Sequence, residues 1–381
     1  MTESGSSRTS GFFERAGLIT VSVLVFFLLA EGITRIVDAI VNDVPVFGAD
    51  KDGVLYSEHP FLYLAPRPNA RYDKFVINSR GFRGREFEIP KPPGTFRILT
   101  LGGSAAWDTD VSGTDATWAA QLEDRLNERR PPGVQRFEVV NGGVPGYNSA
   151  ESFMNFVWRG LPIDPDAVIV YQGYNDFKPN RFPDFKPDYS HFRIRDHSTM
   201  RALSRKFRFL HHMRRWLVRL KFNDQQAYDE VTEPGIRAFQ DNLRRIVVLA
   251  RDRGIQPLLS TYAMSVSAEN REQHPEKFSG LERYLVTLTF EGVLDAHRRY
   301  NQAVRELARE LSVPLADIDA AVPRDFEHFN DHCHFEDPGS RRAAEAFAEV
   351  VLTAFDLGGE AAAGATAADP PAVGAPAVDA P

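Results

Sequence analysis

The sequence predicts a three-layer α/β/α sandwich domain built around a mostly parallel, five-stranded sheet. Short apolar runs rich in β-branched residues alternate with longer stretches whose apolar residues recur at helical spacing. This alternation is typical of a parallel sheet that is covered by helices on both faces. The run at 167–172 (AVIVYQ) is almost wholly apolar, as expected for a strand that is buried on both sides. With 381 residues, the chain is long enough for one large domain with appendages.

A strongly apolar segment without charges lies near the amino terminus, at 16–30 (AGLITVSVLVFFLLA). It is short for a bilayer-spanning helix, which needs ~20 apolar residues, but the apolar residues that flank it can supply the missing length. We interpret 16–40 as a transmembrane signal anchor; a cleaved signal peptide and a buried core helix are the alternatives. Arg8 and Arg15 precede the segment, which favours residues 1–15 in the cytoplasm and the large domain outside it, in the periplasm or at the cell surface.

Proline and glycine are frequent in residues 41–95, and we predict an extended leader that packs on the main domain. The main domain is predicted to span 96–357. Its strands are predicted at 98–101, 136–141, 167–172, 256–262 and 313–318. Its main helices are predicted at 115–129, 149–160, 236–253 and 295–311, with a last helix that starts near Asp337 as its N-cap.

Two segments of the main domain are too long for ordinary connections, at 177–235 and 264–292, and we predict that these insertions border the substrate site. The first contains a basic amphipathic helix at 200–222, which has many bases and no acids. This helix could contact an anionic surface, such as a membrane or an acidic glycan, or dock its apolar face on the domain. Residues 358–381 consist mainly of alanine, glycine and proline, and we predict a disordered tail.

Polar residues follow the carboxyl ends of the predicted strands, where ligands bind in sheets of this kind. Ser104 follows the first strand, Gly146 the second and Asn175 the third. Asp331 and His334 lie in the loop after the fifth strand. For Ser104 taken alone, a helix-capping serine is an equally good interpretation.

Together these residues have the chemistry that acyl transfer requires. An aspartate three residues before a histidine can accept from the imidazole N–H, which leaves the other nitrogen to take a proton from a serine hydroxyl. The backbone N–H groups of Ser104 and Gly146 and the side-chain amide of Asn175 are suitable donors to a developing oxyanion. The pattern predicts a serine nucleophile with Asp331 and His334 as its partners.

These segments resemble the four sequence blocks of the SGNH hydrolases, also called GDSL esterases and lipases. LGGSAAWD resembles the first block and supplies Ser104, NGGVPGYNSAE the second with Gly146, and VYQGYNDF the third with Asn175. DHCHFEDPG resembles the last block, with His334 as the base and Asp331 as its partner. The resemblance implies a flavodoxin-like fold, a catalytic triad of Ser104, His334 and Asp331, and an oxyanion hole of Ser104, Gly146 and Asn175.

One position departs from the family pattern, because Gly103 stands where the family has an aspartate. The departure leaves the triad and the oxyanion hole complete. His332 is an alternative base if the turn places it inward. A zinc site made of His332, Cys333 and His334 is disfavoured because adjacent residues converge poorly on one metal, so we predict neither a metal nor a cofactor.

Composition excludes some classes of function. The net charge of −7 argues against general nucleic-acid binding, and the single cysteine excludes an intrachain disulfide. We predict a membrane-anchored serine esterase that removes an O-acyl group from a glycan or a lipid through an acyl-enzyme. An O-acyltransferase with the same residues, a catalytically silent glycan-binding protein, and a membrane scaffold that works through the basic helix are the alternatives.

Overall fold

The computed structural model describes residues 6–41, 45–48, 51–62, 64–192, 203–204, 206–222 and 226–357. The α-helices of these residues are α1 (Ser6–Val41), α2 (Lys51–Leu55), α3 (Ser104–Trp107), α4 (Trp118–Glu128), α5 (Ser149–Asn155), α6 (Tyr174–Asn180), α7 (Arg208–Phe222), α8 (Glu233–Asp252), α9 (Ala268–Gln273), α10 (Ser279–Tyr284), α11 (Phe290–Glu310), α12 (Ile318–Ala321) and α13 (Asp337–Ala354). The strands are β1 (Tyr56–Ser57), β2 (Ala65–Pro66), β3 (Arg71–Tyr72), β4 (Phe75–Val76), β5 (Thr95–Gly102), β6 (Arg136–Asn141), β7 (Ala167–Tyr171), β8 (Gln256–Ser260) and β9 (Leu315–Ala316).

A parallel sheet of five strands, in the order β6–β5–β7–β8–β9, forms the centre of the main domain. All residues of the central strand β7 are buried, because helices cover both of its faces. On one face α4 packs beside α13, and Trp118 stacks on Phe347 with ring centroids 4.6 Å apart. On the other face α8 packs on α11, where Phe239 lies 4.9 Å from Tyr300. The predicted α/β fold with a five-stranded parallel sheet is confirmed.

Two local predictions need correction. The fifth strand, predicted at 313–318, is reduced to β9, because this edge strand pairs with β8 alone and over only two residues. The last helix is capped by Glu336, and Asp337 is its first residue. The Asp337 carboxylate instead accepts hydrogen bonds from the backbone N–H and the hydroxyl of Ser112, at 2.8 and 2.6 Å. The local sequence predicted that Asp337 caps the helix, but its side chain makes this tertiary contact with Ser112 instead.

Residues of the leader pack on α3, the short helix that follows β5. Two antiparallel pairs, β1 with β2 and β3 with β4, shape this part of the chain. Trp107 of α3 packs against Tyr56 and Phe75, with ring centroids 5.9 and 6.4 Å apart. The buried Arg83 donates from Nη1 to the carbonyls of Trp107 and Asp108, at 2.7 and 2.6 Å. The leader thus supports the backbone at the end of α3, while the limits of the predicted domains stay a prediction.

The amino-terminal helix α1 contains a stretch, Arg15–Val41, that is long and apolar enough to be a membrane span or a signal sequence. The basic helix α7 packs on α1, where Phe27 contacts Phe207 and Phe209 with ring centroids 5.0 and 6.2 Å apart. The aromatic contacts described for α7 are therefore with α1. Residues 193–202, 205 and 223–225 of the first insertion and the tail at 358–381 lie outside the described residues.

Candidate active site

Ser104 is the first residue of α3 and directly follows Gly103 at the carboxyl end of β5. The next residues, Ala105 and Ala106, are buried and anchor this short helix in the domain. Gly103 occupies the N-cap position, and no side chain caps the helix. The interpretation of Ser104 as a capping residue is therefore wrong. Its Oγ lies instead 2.7 Å from Nε2 of His334, a residue 230 positions later in the chain.

His334 and Asp331 belong to a tight turn between α12 and α13. Oδ1 of Asp331 accepts hydrogen bonds from the backbone N–H groups of Cys333 and His334, both at 2.8 Å, so the chain folds around this carboxylate. Oδ2 of Asp331 accepts from Nδ1–H of His334 at 2.8 Å. Because an ionised carboxylate can only accept, the proton of a neutral His334 lies on Nδ1, and Nε2 accepts from the Ser104 hydroxyl.

The charges of this pair stabilise each other. Burial on its own raises the pKa of Asp331, but the hydrogen bond and positive charge of His334 outweigh it and hold the pKa far below its usual range. Burial likewise disfavours a charged His334, yet the neighbouring Cys333 and the hydrogen bond to Asp331 raise the pKa of His334 well above its ordinary value of 6.5. Asp331 is therefore ionised at neutral pH, and a proton accepted at Nε2 of His334 is stabilised there.

Asn175 lies in the first turn of α6, after β7, and its side-chain amide reaches the loop after β6. Nδ2 donates to the carbonyl of Tyr147 at 2.9 Å, and Oδ1 accepts from the hydroxyl of Tyr284 at 2.9 Å. Gly146, which precedes Tyr147, has a φ of 82°, a left-handed conformation that favours glycine. The loops that carry Gly146 and Asn175 are therefore adjacent, and Tyr284 holds the amide with its nitrogen toward Tyr147.

The glycine at position 103 is required by the close approach of Asn175. A Cβ atom at Gly103 would lie 2.3 Å from Nδ2 of Asn175 and 3.1 Å from the carbonyl oxygen of Tyr147. The first distance is far inside van der Waals contact, so a side chain at position 103 would displace the amide. In this chain the glycine therefore leaves room for the amide of Asn175. The same contact places the Asn175 amide beside the Ser104 backbone.

The alternative base, His332, is directed elsewhere. Its Nε2 lies 2.8 Å from the hydroxyl of Tyr174, and Tyr174 stacks on Tyr284 with ring centroids 5.4 Å apart. His332 is buried, with 4% of its surface exposed. His332 is therefore part of an aromatic cluster behind Asn175, and His334 is the histidine that contacts Ser104.

Two groups of side chains carry atoms close enough to share a metal ion, namely Asp331, His332 and Cys333, and Asp110, Asp331 and His334. In the second group both ring nitrogens of His334 are engaged, one by Asp331 and the other by Ser104. In the first group Oδ2 of Asp331 already accepts from Nδ1–H of His334, while Nδ1 of His332 lies 3.9 Å from that oxygen and has no hydrogen-bond partner among the described residues. A metal would compete with these hydrogen bonds, so we assign no metal ligand.

Sequence reasoning missed three residues near the site. Tyr284 lies in the second predicted insertion, where no local pattern singled it out. Asp110 follows Ser104 by six positions, and its carboxylate lies 3.7 Å from Nδ1 of His334.

Asp176, next to Asn175, is fully buried, and its burial raises its pKa to about 6. It accepts hydrogen bonds from Ser149 at the start of α5, which ties α6 to α5. The only available signals were the acidic side chains of Asp110, two residues after the first block, and of Asp176, within the third block.

A family model described as "GDSL-like Lipase/Acylhydrolase family" matches residues 100–342, well over half of the chain. Comparison with curated proteins found no match to this chain.

Among solved structures, similar chains include a lipase/acylhydrolase from Enterococcus faecalis, at 14% identity and a TM-score of 0.41, covering 67% of this chain and 95% of that one. The acetyl xylan esterase AlAXEase has 13% identity and a TM-score of 0.40, covering 67% and 100%. A variant of Axe2, an acetylxylan esterase from Geobacillus stearothermophilus, has 15% identity and a TM-score of 0.41, covering 70% and 97%. These identities and TM-scores are too low to bear on the substrate.

Proposed function

The chain belongs to the GDSL-like lipase/acylhydrolase family of carboxylic ester hydrolases, and from this premise we propose that it cleaves an O-acyl ester with Ser104 as its nucleophile. One observation carries the proposal: the Ser104 hydroxyl lies 2.7 Å from Nε2 of a histidine whose Nδ1 is held by a carboxylate at 2.8 Å. These are hydrogen-bond distances for a nucleophile, its base and the group that orients the base. The substrate that we propose is an O-acyl group on a glycan or a lipid.

In the first half of the reaction, Oγ of Ser104 attacks the ester carbonyl while Nε2 of His334 takes the hydroxyl proton. Asp331 holds the imidazole and stabilises the imidazolium that forms. The backbone N–H groups of Ser104 and Gly146 and Nδ2 of Asn175 donate to the oxyanion of the tetrahedral intermediate. One such donor contributes roughly 2.7–4 kcal/mol to transition-state stabilisation. His334 then returns the proton to the leaving alcohol, and an acyl-Ser104 remains.

In the second half, an acceptor with a hydroxyl group resolves the acyl-enzyme, with His334 again acting as the base. If the acceptor is water, the enzyme is an esterase. If the acceptor is a glycan hydroxyl, the same residues perform O-acyl transfer, which we keep as the second candidate function because both reactions pass through one intermediate.

We further propose that α1 is retained as a single-pass anchor at 16–40. In this arrangement residues 1–15 are cytoplasmic and the catalytic domain faces the periplasm or the cell surface. The length and the apolar composition of Arg15–Val41 support the span, and the basic residues before it support the orientation.

The test is covalent labelling of the detergent-solubilised full chain with a fluorophosphonate, followed by a series of esters from acetyl to long acyl chains. We expect labelling and hydrolysis that are both lost in Ser104→Ala, while Ser112→Ala, whose hydroxyl binds Asp337 instead, keeps both. Labelling with transfer to an added glycan but little hydrolysis would identify the acyltransferase. A folded chain that is neither labelled nor active would contradict the proposal and favour a silent binding protein.

A further inference from the structure

The acidic residues within the apolar stretch of α1 are the ones that contact α7. The carboxylate of Glu31 accepts hydrogen bonds from the backbone N–H groups of Arg208 and Phe209, at 3.1 and 2.9 Å, in the first turn of α7. The carboxylate of Asp38 lies 3.0 Å from Nε2 of His212. Glu31 and Asp38 are each only 7% exposed. Because acidic side chains that face lipid are costly, these contacts explain how a membrane helix can carry them.

Further contacts fasten α7 to α1. Arg35 of α1, whose Nε lies 2.7 Å from Glu31, donates from Nη2 to the carbonyl of Lys206, just before α7, at 3.5 Å. Phe26 meets the ring of Phe209 edge-on, with centroids 6.3 Å apart. The two helices are therefore joined by polar and aromatic contacts, and α7 occupies a defined position on α1.

The position of these contacts along α1 places α7 at the edge of a bilayer. A hydrocarbon layer of ~30 Å is crossed by ~20 helical residues, so a span that starts at Ala16 ends near Arg35. Glu31, at the first turn of α7, lies close to this boundary. The outward surface of α7 carries Trp216 and Leu217, which are 58% and 49% exposed.

The composition of α7 suits a lipid headgroup layer. Its sequence contains five arginine and lysine residues and no acidic residue, and the exposed Arg215 directly precedes Trp216. Tryptophan concentrates at the membrane–water interface, and basic residues near a bilayer are attracted by anionic lipids. An acidic glycan would match the bases but not the exposed leucine.

We propose that α7 is a membrane-surface helix that binds the headgroups of anionic lipids and is held at the bilayer boundary by α1. The insertion after β7 then joins the anchor to the catalytic domain and keeps that domain near the lipid surface. The proposal rests on the anchoring of α1 proposed above, and it is independent of the esterase reaction.

The test is fluorescence of the full chain in phosphatidylcholine vesicles with brominated acyl chains, with and without phosphatidylglycerol. Of the four tryptophans, Trp107 and Trp118 are buried, while Trp158 and Trp216 are exposed. Bromine quenches indole groups that approach the acyl chains. We expect quenching in the wild-type chain and in the matched control Trp158→Phe, loss of quenching in Trp216→Phe, and stronger quenching when phosphatidylglycerol is present.

Charge variants test the lipid headgroup. Arg215→Glu is expected to weaken the response to phosphatidylglycerol, and Arg237→Glu, an exposed arginine of α8, is expected to leave it unchanged. Quenching that persists in Trp216→Phe, or that is the same with and without phosphatidylglycerol, would overturn the proposal.

Two further readouts separate the causes of failure. Flotation with the vesicles reports whether α1 inserts, and a chain that does not float overturns this proposal together with the anchor. Hydrolysis of a soluble ester reports folding and the proposed enzyme, so an inactive chain whose Trp216 is quenched would contradict the enzyme alone.

Discussion

Two turns before α13 share one sequence pattern, an aspartate followed three residues later by a histidine. In the first, Asp325 accepts from the backbone N–H of His328 at 3.0 Å and lies 2.7 Å from its Nδ1. In the second, Asp331 accepts from the backbone N–H and from Nδ1–H of His334, both at 2.8 Å. The two turns therefore have nearly the same local geometry.

The turns differ in what faces the histidine. Nε2 of His334 lies 2.7 Å from the Ser104 hydroxyl. Within the part of the chain that the structure describes, no hydroxyl group makes such a contact with His328, which borders a polar surface hollow of about 340 Å³. Asp325 is 51% exposed and Asp331 28%. An aspartate–histidine pair is thus a product of local sequence, and its chemistry depends on the third group that the fold brings to it.

The largest expected effect separates the two histidines. We expect His334→Ala to lower kcat for ester hydrolysis by about 10⁶-fold, because Ser104 loses its base. His328→Ala should stay near the wild-type rate, because that histidine faces no nucleophile. Steady-state kinetics with an activated ester measure both. Equal losses of kcat in the two variants would contradict the different roles assigned to the two turns.

The next effect separates the two aspartates. We expect Asp331→Asn to lower kcat by about 10⁴-fold, because the imidazole loses the group that orients and charge-stabilises it. Asp325→Asn should have little effect on kcat. The measurement is the pH profile of kcat/KM for each variant.

The sign of the pH effect follows from the raised pKa of His334. His334 acts as a base only when neutral, so wild-type kcat/KM should rise with pH through a midpoint above 6.5. Asp331→Asn removes the carboxylate that favours the imidazolium, so its midpoint should move down. The midpoint of Asp325→Asn should not move, and a shift in that variant would contradict the assignment.

A smaller effect on kcat is expected from a substitution at Gly103, the residue before the nucleophile. Gly103→Ala would place a methyl group 2.3 Å from Nδ2 of Asn175, and we expect about a 10²–10³-fold loss of kcat, as for the removal of one oxyanion donor. The matched control is Gly280→Ala, because a Cβ atom there meets only His332, at 3.9 Å. If Gly103→Ala were as active as the control, catalysis would not depend on the position of the Asn175 amide.

The smallest effect concerns the residue that holds Asn175. Tyr284→Phe keeps the stack on Tyr174 and removes the hydrogen bond to Oδ1 of Asn175. Since one such bond contributes roughly 0.5–1.5 kcal/mol, we expect about a 2–10-fold fall in kcat with little change in KM. Tyr228→Phe is the control, because the Tyr228 hydroxyl makes no hydrogen bond within the described part of the chain. An unchanged kcat in Tyr284→Phe would show that the amide is held without it.

Much of the fold could be predicted because its signals are local. The strand β7 is a continuous apolar run and β6 is a short run rich in β-branched and aromatic residues, and their predicted bounds agree with the structure to within one residue. The edge strand β9 and the cap at Glu336 could not be predicted as well, since both depend on distant partners. The pairing of α7 with α1 was missed for the same reason, because Glu31 and Phe209 are 178 residues apart.

By itself, the sequence determined the alternation of strands and helices, the residues of the candidate site and the hydrogen bonds within each aspartate–histidine turn. These features depend on side chains within a few positions of one another, where backbone geometry leaves few choices. Tertiary structure alone decided that His334 rather than His328 meets Ser104, that Tyr284 holds Asn175, and that Gly103 leaves room for the amide. Contacts of that kind join residues far apart along the chain, so they exist only once the sheet has brought its loops to one edge.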